Sequence, residues 1–75
     1  MIKDKQGNEL KEGDSIVNHE PYEGECEKLI MSLSDNDLPN TALVVFYNCV
    51  KYPELKGQKE LIDFDAISSY YIKLK

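Results

Sequence analysis

The residues able to do chemistry in this chain are few and widely spaced. There is one histidine, His19, and there are two cysteines, Cys26 and Cys49, with no arginine or tryptophan. A metal centre built from His19, Cys26 and Cys49 would lack any close ligand pair such as C-x-x-C, whereas structural zinc takes four ligands at short paired spacings. The thiols are therefore expected to be small buried apolar groups, unpaired and reduced. His19 opens the polar stretch "HEPYEG" with no nucleophile beside it, and reads as a surface side chain. No G-x-S-x-G, P-loop, dinucleotide fingerprint or H-E-x-x-H is present. Asp63 and Asp65 would share one side of an extended strand and could hold a cation, but such pairs are more often solvated edges. The expectation is a protein that is not an enzyme and uses no metal or cofactor.

Two sets of residues remain that could carry binding. The first is acidic: Glu20, Glu23, Glu25 and Glu27, joined by Asp35 and Asp37. If residues 23–27 are extended, Glu23, Glu25 and Glu27 project from one face about 6.6 Å apart. Carboxylates at that pitch could imitate a nucleic-acid backbone and enter a basic groove, although runs of charge usually just solubilise a surface. The second set is aromatic: Tyr22, Tyr52 and Tyr71 are candidate contacts, because tyrosine supplies area and a polar tip at low entropic cost. Tyr70 and Phe64 are expected in the core.

Charge narrows the partner. Residues 1–37 carry ten acids and four lysines, a net of −6; residues 38–75 carry four acids and five lysines, a net of +1, giving −5 for the chain. All nine basic residues are lysine, and they are scattered singly. Arginine is the preferred residue for forked phosphate and base contacts, so direct nucleic-acid binding is disfavoured. No apolar run approaches the roughly 20 residues of a membrane span. Met1-Ile2-Lys3-Asp4 begins no apolar signal segment, so a cytoplasmic location is expected.

The elements that must position these residues fit one domain over residues 1–75. A chain of 75 residues buries only about 60–65% of its unfolded surface, so the core is small. "KQGN" and "KEGD" are turn signals, the second delivering Ser15–Asn18 as a strand. Glu25–Leu33 fits period two, with Leu29, Met31 and Leu33 on one face, and also fits a helical stripe. Strand is the preferred reading. "TALVVFYNCV" is β-branched and aromatic and apolar on both faces, which implies a central strand. Glu60–Phe64 alternates, "DAISS" reads as a bend or single 3₁₀ turn, and Tyr70, Ile72 and Leu74 are expected inward with Tyr71 outward. The fold class is mainly β, a small five-stranded SH3-like barrel. The alternative is α+β, with a helix at about 22–33 on an antiparallel meander.

"KDKQGNELKEGDSIV", residues 3–17, resembles the segment D-K-x-G-x-E-I-x-x-G-D-I-V of the YopX-like family of small phage and prophage proteins. The matching positions are Asp4, Lys5, Gly7, Glu9, Leu10, Gly13, Asp14, Ile16 and Val17; the same glycine-aspartate-strand pattern opens many SH3-like modules. The resemblance covers about a fifth of the chain. It implies a β-rich fold and a mobile-element origin, and transfers no catalytic residue. The functional expectation is a non-enzymatic module that binds a host protein, in its sharpest form a basic nucleic-acid-handling defence enzyme that it inhibits. A structural, assembly or adaptor subunit, including a homo-oligomer, is the alternative.

Overall fold

A computed structural model describes residues 2–18, 26–34 and 37–74. The opening turns do what their composition requires. Gly7 and Gly13 take φ of 86° and 93°, a region nearly closed to side chains with a Cβ. The Asp14 carboxylate accepts the Lys11 N–H at 2.8 Å, closing the "KEGD" turn. On the far side of that turn Ile30 donates its N–H to the Asp14 carbonyl at 2.8 Å. The turn thus fixes the register in which the first strand meets its neighbour.

Five strands follow: β1 Ser15–Asn18, β2 Glu27–Ser32, β3 Thr41–Asn48, β4 Lys59–Asp63 and β5 Tyr71–Lys73. A 3₁₀ turn, Pro53–Leu55, lies between β3 and β4, and one short helix, α1, covers Phe64–Tyr70. All five strands form one antiparallel sheet in the order β4-β3-β2-β1-β5. β3, the most apolar segment, is interior as expected, and Glu27–Ser32 is strand, which removes the helical alternative over those residues. The sheet is not closed into a barrel: β4 and β5 lie at opposite edges.

Register divides the side chains cleanly. Ile16, Lys28, Ile30, Ala42, Val44 and Ile62 face inward and are buried, and Ile2, Leu10 and Ile67 cover them from the N-terminal hairpin and α1. The Lys3–Glu9 bridge holds that hairpin. Its anchor is Asp4, only 3% exposed. The Asp4 carboxylate accepts backbone N–H groups of Gln6, Asn8 and Lys73 at 2.9, 2.7 and 2.8 Å, tying the hairpin to β5.

Two expectations fail here. α1 runs through Tyr70, longer than a bend, so the strand alternation restarts one residue later. Tyr70 is consequently 60% exposed, while Tyr71, expected outward as a binding residue, is 9% exposed in the core. The cysteines are not free thiols: Cys26 and Cys49 form a disulfide with Cα atoms 4.2 Å apart. The physical reason is pairing register. Glu27 pairs with Asn48 at the open end of the β2–β3 hairpin, which brings the next residues out, Cys26 and Cys49, face to face. Reduced thiols therefore no longer argue for a cytoplasmic location. No described helix is long and apolar enough to cross a membrane.

Candidate binding surface

The inner face of the sheet holds one group that sequence reasoning missed. Lys28, on β2, is 6% exposed. Its Nζ donates to the Tyr71 hydroxyl at 2.7 Å and to the Glu60 carboxylate at 3.4 Å. The Phe46 and Tyr71 rings flank it, with centroids 4.8 and 4.9 Å away. A buried ammonium is costly unless paired and hydrogen-bonded, and here aromatic faces add cation–π attraction. Burial alone would lower the Lys28 pKa, but the Tyr71 hydrogen bond and charge, followed by Glu60, outweigh it and raise the value above the ordinary 10.5. Glu60 and Tyr71 come from opposite edge strands, so the sheet curls around this side chain. The only signal available in sequence was period two, which places Lys28 beside Ile30 and Cys26.

The outer face has a different character. Across the register, Ser15 pairs with Leu29, Leu29 with Val45, and Val45 with Lys59. Val17 pairs with Ile72, and Leu43 with Leu61. Val17, Leu29, Leu43, Val45, Leu61 and Ile72 are all half-buried, and none belongs to the core cluster. Met31 beside them is 41% exposed. Register shifts lie between Glu27 and Lys28 and between Ile30 and Ser32, consistent with bulges that leave Tyr47 and Met31 as extra residues on this side. A solvated antiparallel face normally alternates to polar residues. This one stays apolar, and a contiguous apolar patch marks an interaction site.

At one end the face dips into a shallow depression lined by Gly13, Asp14, Ser15, Glu27, Tyr47 and Leu74. The opening turn and Glu27 meet there. Of the acidic candidates, Glu27 is half-buried at this depression and accepts a hydrogen bond from the Asn48 amide at 2.8 Å. Asp37 is exposed in the β2–β3 loop, at the other end of β2 from Glu27. Glu20, Tyr22, Glu23, Glu25 and Asp35 lie outside the described residues, as does His19. Tyr52 is 44% exposed just before the 3₁₀ turn. Glu27 and Asp37 are thus not brought together, and Tyr71 is removed from the surface. Asp63 and Asp65 line a hollow with Pro39, Asn40 and Phe64. Among the described residues no group of three or more His, Cys, Asp or Glu could hold a metal ion.

The chain was compared with family models, curated proteins and solved structures, and nothing matches it.

Proposed function

We propose that this protein is a non-enzymatic protein-binding module and that the apolar outer face of its sheet is the binding surface. The observation that carries this reading is the row of half-buried aliphatic side chains running from Val17 and Ile72 to Leu61, with Met31 exposed among them. Burying such a face releases about 25 cal/mol for each Å² of apolar area removed from water. Glu27 and Tyr47 at the depression supply a polar rim of the kind that sets orientation at interfaces. The strand order β4-β3-β2-β1-β5, with a short helix leading into β5, supports an SH3-like module as the finer fold.

In its sharper form the partner is a basic host protein that handles nucleic acid, and binding inhibits it. The net charge of −6 over residues 1–37 supports that form. An assembly or adaptor subunit is the second reading, favoured by the apolar character of the face itself. The test is capture of partners by the parent chain and by Met31→Lys/Val45→Lys, which places two charges on the outer face. The partner retained by the parent should be lost by this variant at unchanged circular dichroism, and kept by Tyr70→Ala. Retention by the double-lysine variant would refute the outer face as the binding surface.

A further inference from the structure

The two edges of the sheet are finished differently. The β5 edge is covered: Lys5 donates its N–H to the Tyr71 carbonyl at 2.8 Å, and the Asp4 carboxylate accepts the Lys73 N–H at 2.8 Å. The β4 edge is open. In its ladder with β3, Phe46 donates its N–H to the Gln58 carbonyl and Phe64 donates its N–H to the Asn40 carbonyl. Glu60 and Ile62 pair with Val44 and Ala42 between those two bonds. Even-numbered residues of this segment therefore turn their backbone groups towards β3, and alternation turns the N–H and C=O of Lys59, Leu61 and Asp63 outwards. The Asp63 carbonyl opens α1 as its N-cap, while among the described residues no partner reaches the outward groups of Lys59 and Leu61 or the Asp63 N–H. An open edge is a template for another strand, and proteins commonly guard it with lysine.

We infer that β4 pairs with β4 of a second copy of this chain, antiparallel, about a two-fold axis at Leu61. The sequence of β4, "KELID", is complementary to itself in that register. Leu61 lies opposite Leu61 of the second copy, and Lys59 lies opposite its Asp63, with the reciprocal pair on the other side of the axis. The Leu61 N–H and C=O then pair across the axis and each Asp63 N–H meets an outward Lys59 C=O, four hydrogen bonds in all, while the Asp63 carbonyl stays with α1. Cross-strand pairs of opposite charge stabilise a ladder, whereas like charges opposed destabilise it. A slip of two residues would set Lys59 against Leu61 and leave both Asp63 side chains unopposed. Charge thus selects the register, and it selects a second copy over an arbitrary extended peptide, which the Lys59 guard would otherwise discourage. The product is a continuous ten-stranded sheet in which two outer apolar faces become one. This contact is made by the backbone edge of β4 and shares Leu61 with the face assigned above, so variants away from β4 tell the two apart.

The test is mass against concentration by sedimentation equilibrium at about 0.15 M salt, which screens the repulsion between copies of net charge −5. The mass should rise from 8.6 kDa towards twice that value. Lys59→Asp and Asp63→Lys should each weaken association by about tenfold or more, and the two together should restore it. Leu61→Pro removes only an outward N–H, leaves the β3 ladder intact and should abolish the dimer while the monomer stays folded. The proposal is overturned by a mass of 8.6 kDa at every concentration. It is equally overturned by association that ignores the charge reversals, or by protection of the Leu61 and Asp63 amides only when a different protein is added. Met31→Lys, on β2 and away from β4, should leave this self-association in place.

Discussion

The Lys28 ammonium on β2 donates to the Tyr71 hydroxyl on β5 at 2.7 Å, joining a central strand to an edge strand through the core. Tyr71 is thereby a structural residue, and its ring also flanks the charge it bonds. Removing one partner of a buried polar pair leaves the other unsatisfied, which costs about 1–3 kcal/mol. Tyr71→Phe should therefore lower the urea midpoint, and so should Lys28→Met, whereas Lys28→Met/Tyr71→Phe, which removes both partners, should cost less than the two single changes added together.

The same pair predicts a pH dependence at the alkaline end. Lys28 is held above its ordinary pKa of 10.5 in the folded state. A cation with a raised folded pKa contributes stability that is complete below the unfolded pKa and is lost as pH rises through the folded one. Stability measured by urea unfolding should fall above about pH 10.5 in the parent more steeply than in Lys28→Met. Equal alkaline slopes would show that Lys28 does not carry the effect.

Asp4 predicts the acid side. Burial would raise its pKa, but the backbone N–H of Lys73, then the Asn8 side chain and the Asn8 and Gln6 N–H groups, bring it below the ordinary 3.8. A depressed carboxyl contributes stability that is present above the unfolded pKa and lost as pH falls through the folded one. Acid unfolding below about pH 4 should therefore be shallower in Asp4→Asn, which should also be less stable at neutral pH by about 1–3 kcal/mol. The check is urea unfolding of both chains at pH values on either side of the carboxylate range.

How much of this was legible beforehand differs by element. Turns at Gly7 and Gly13 and the central β3 were readable, because glycine at positive φ and an unbroken β-branched run are local signals. The strand at Glu27–Ser32 was decided against its own helix propensity by the sheet around it. Tyr71 was misplaced because one extra helical residue, Tyr70, inverts every following side chain in a period-two pattern. The disulfide and the Lys28–Glu60–Tyr71 cluster were not legible. Each joins residues distant in sequence, and only a register that includes two bulges brings them together. Most of the acidic candidates lie outside the described residues.

The disulfide staples the open end of the β2–β3 hairpin across a sequence separation of 23 residues. Loop-closure entropy for a loop of that size corresponds to about 3 kcal/mol. Reductant should lower the urea midpoint by that order, and Cys26→Ser/Cys49→Ser should match the reduced parent while no longer responding to reductant. A parent whose urea midpoint is unchanged although both thiols titrate after reductant would contradict the structural role.

Adjacent residues on β2 separate the two faces of the sheet in one measurement. Ile30 is 1% exposed among the core residues, and Met31 beside it is 41% exposed on the outer face. Ile30→Ala deletes buried methylenes and leaves a cavity bounded by Ile16, Val44 and their neighbours, a change that costs about 2–5 kcal/mol. Met31→Ser removes side-chain area that water already reaches, and surface changes of that kind fall within about 0.5 kcal/mol. Chemical denaturation of the two variants at low protein concentration should reproduce this contrast. Under those conditions association contributes nothing to stability, so the result reports the monomer alone. A Met31→Ser cost equal to that of Ile30→Ala would mean that the outer face is packed in the monomer. It would then have no apolar surface left to offer a partner, and the proposed binding function would fall with it.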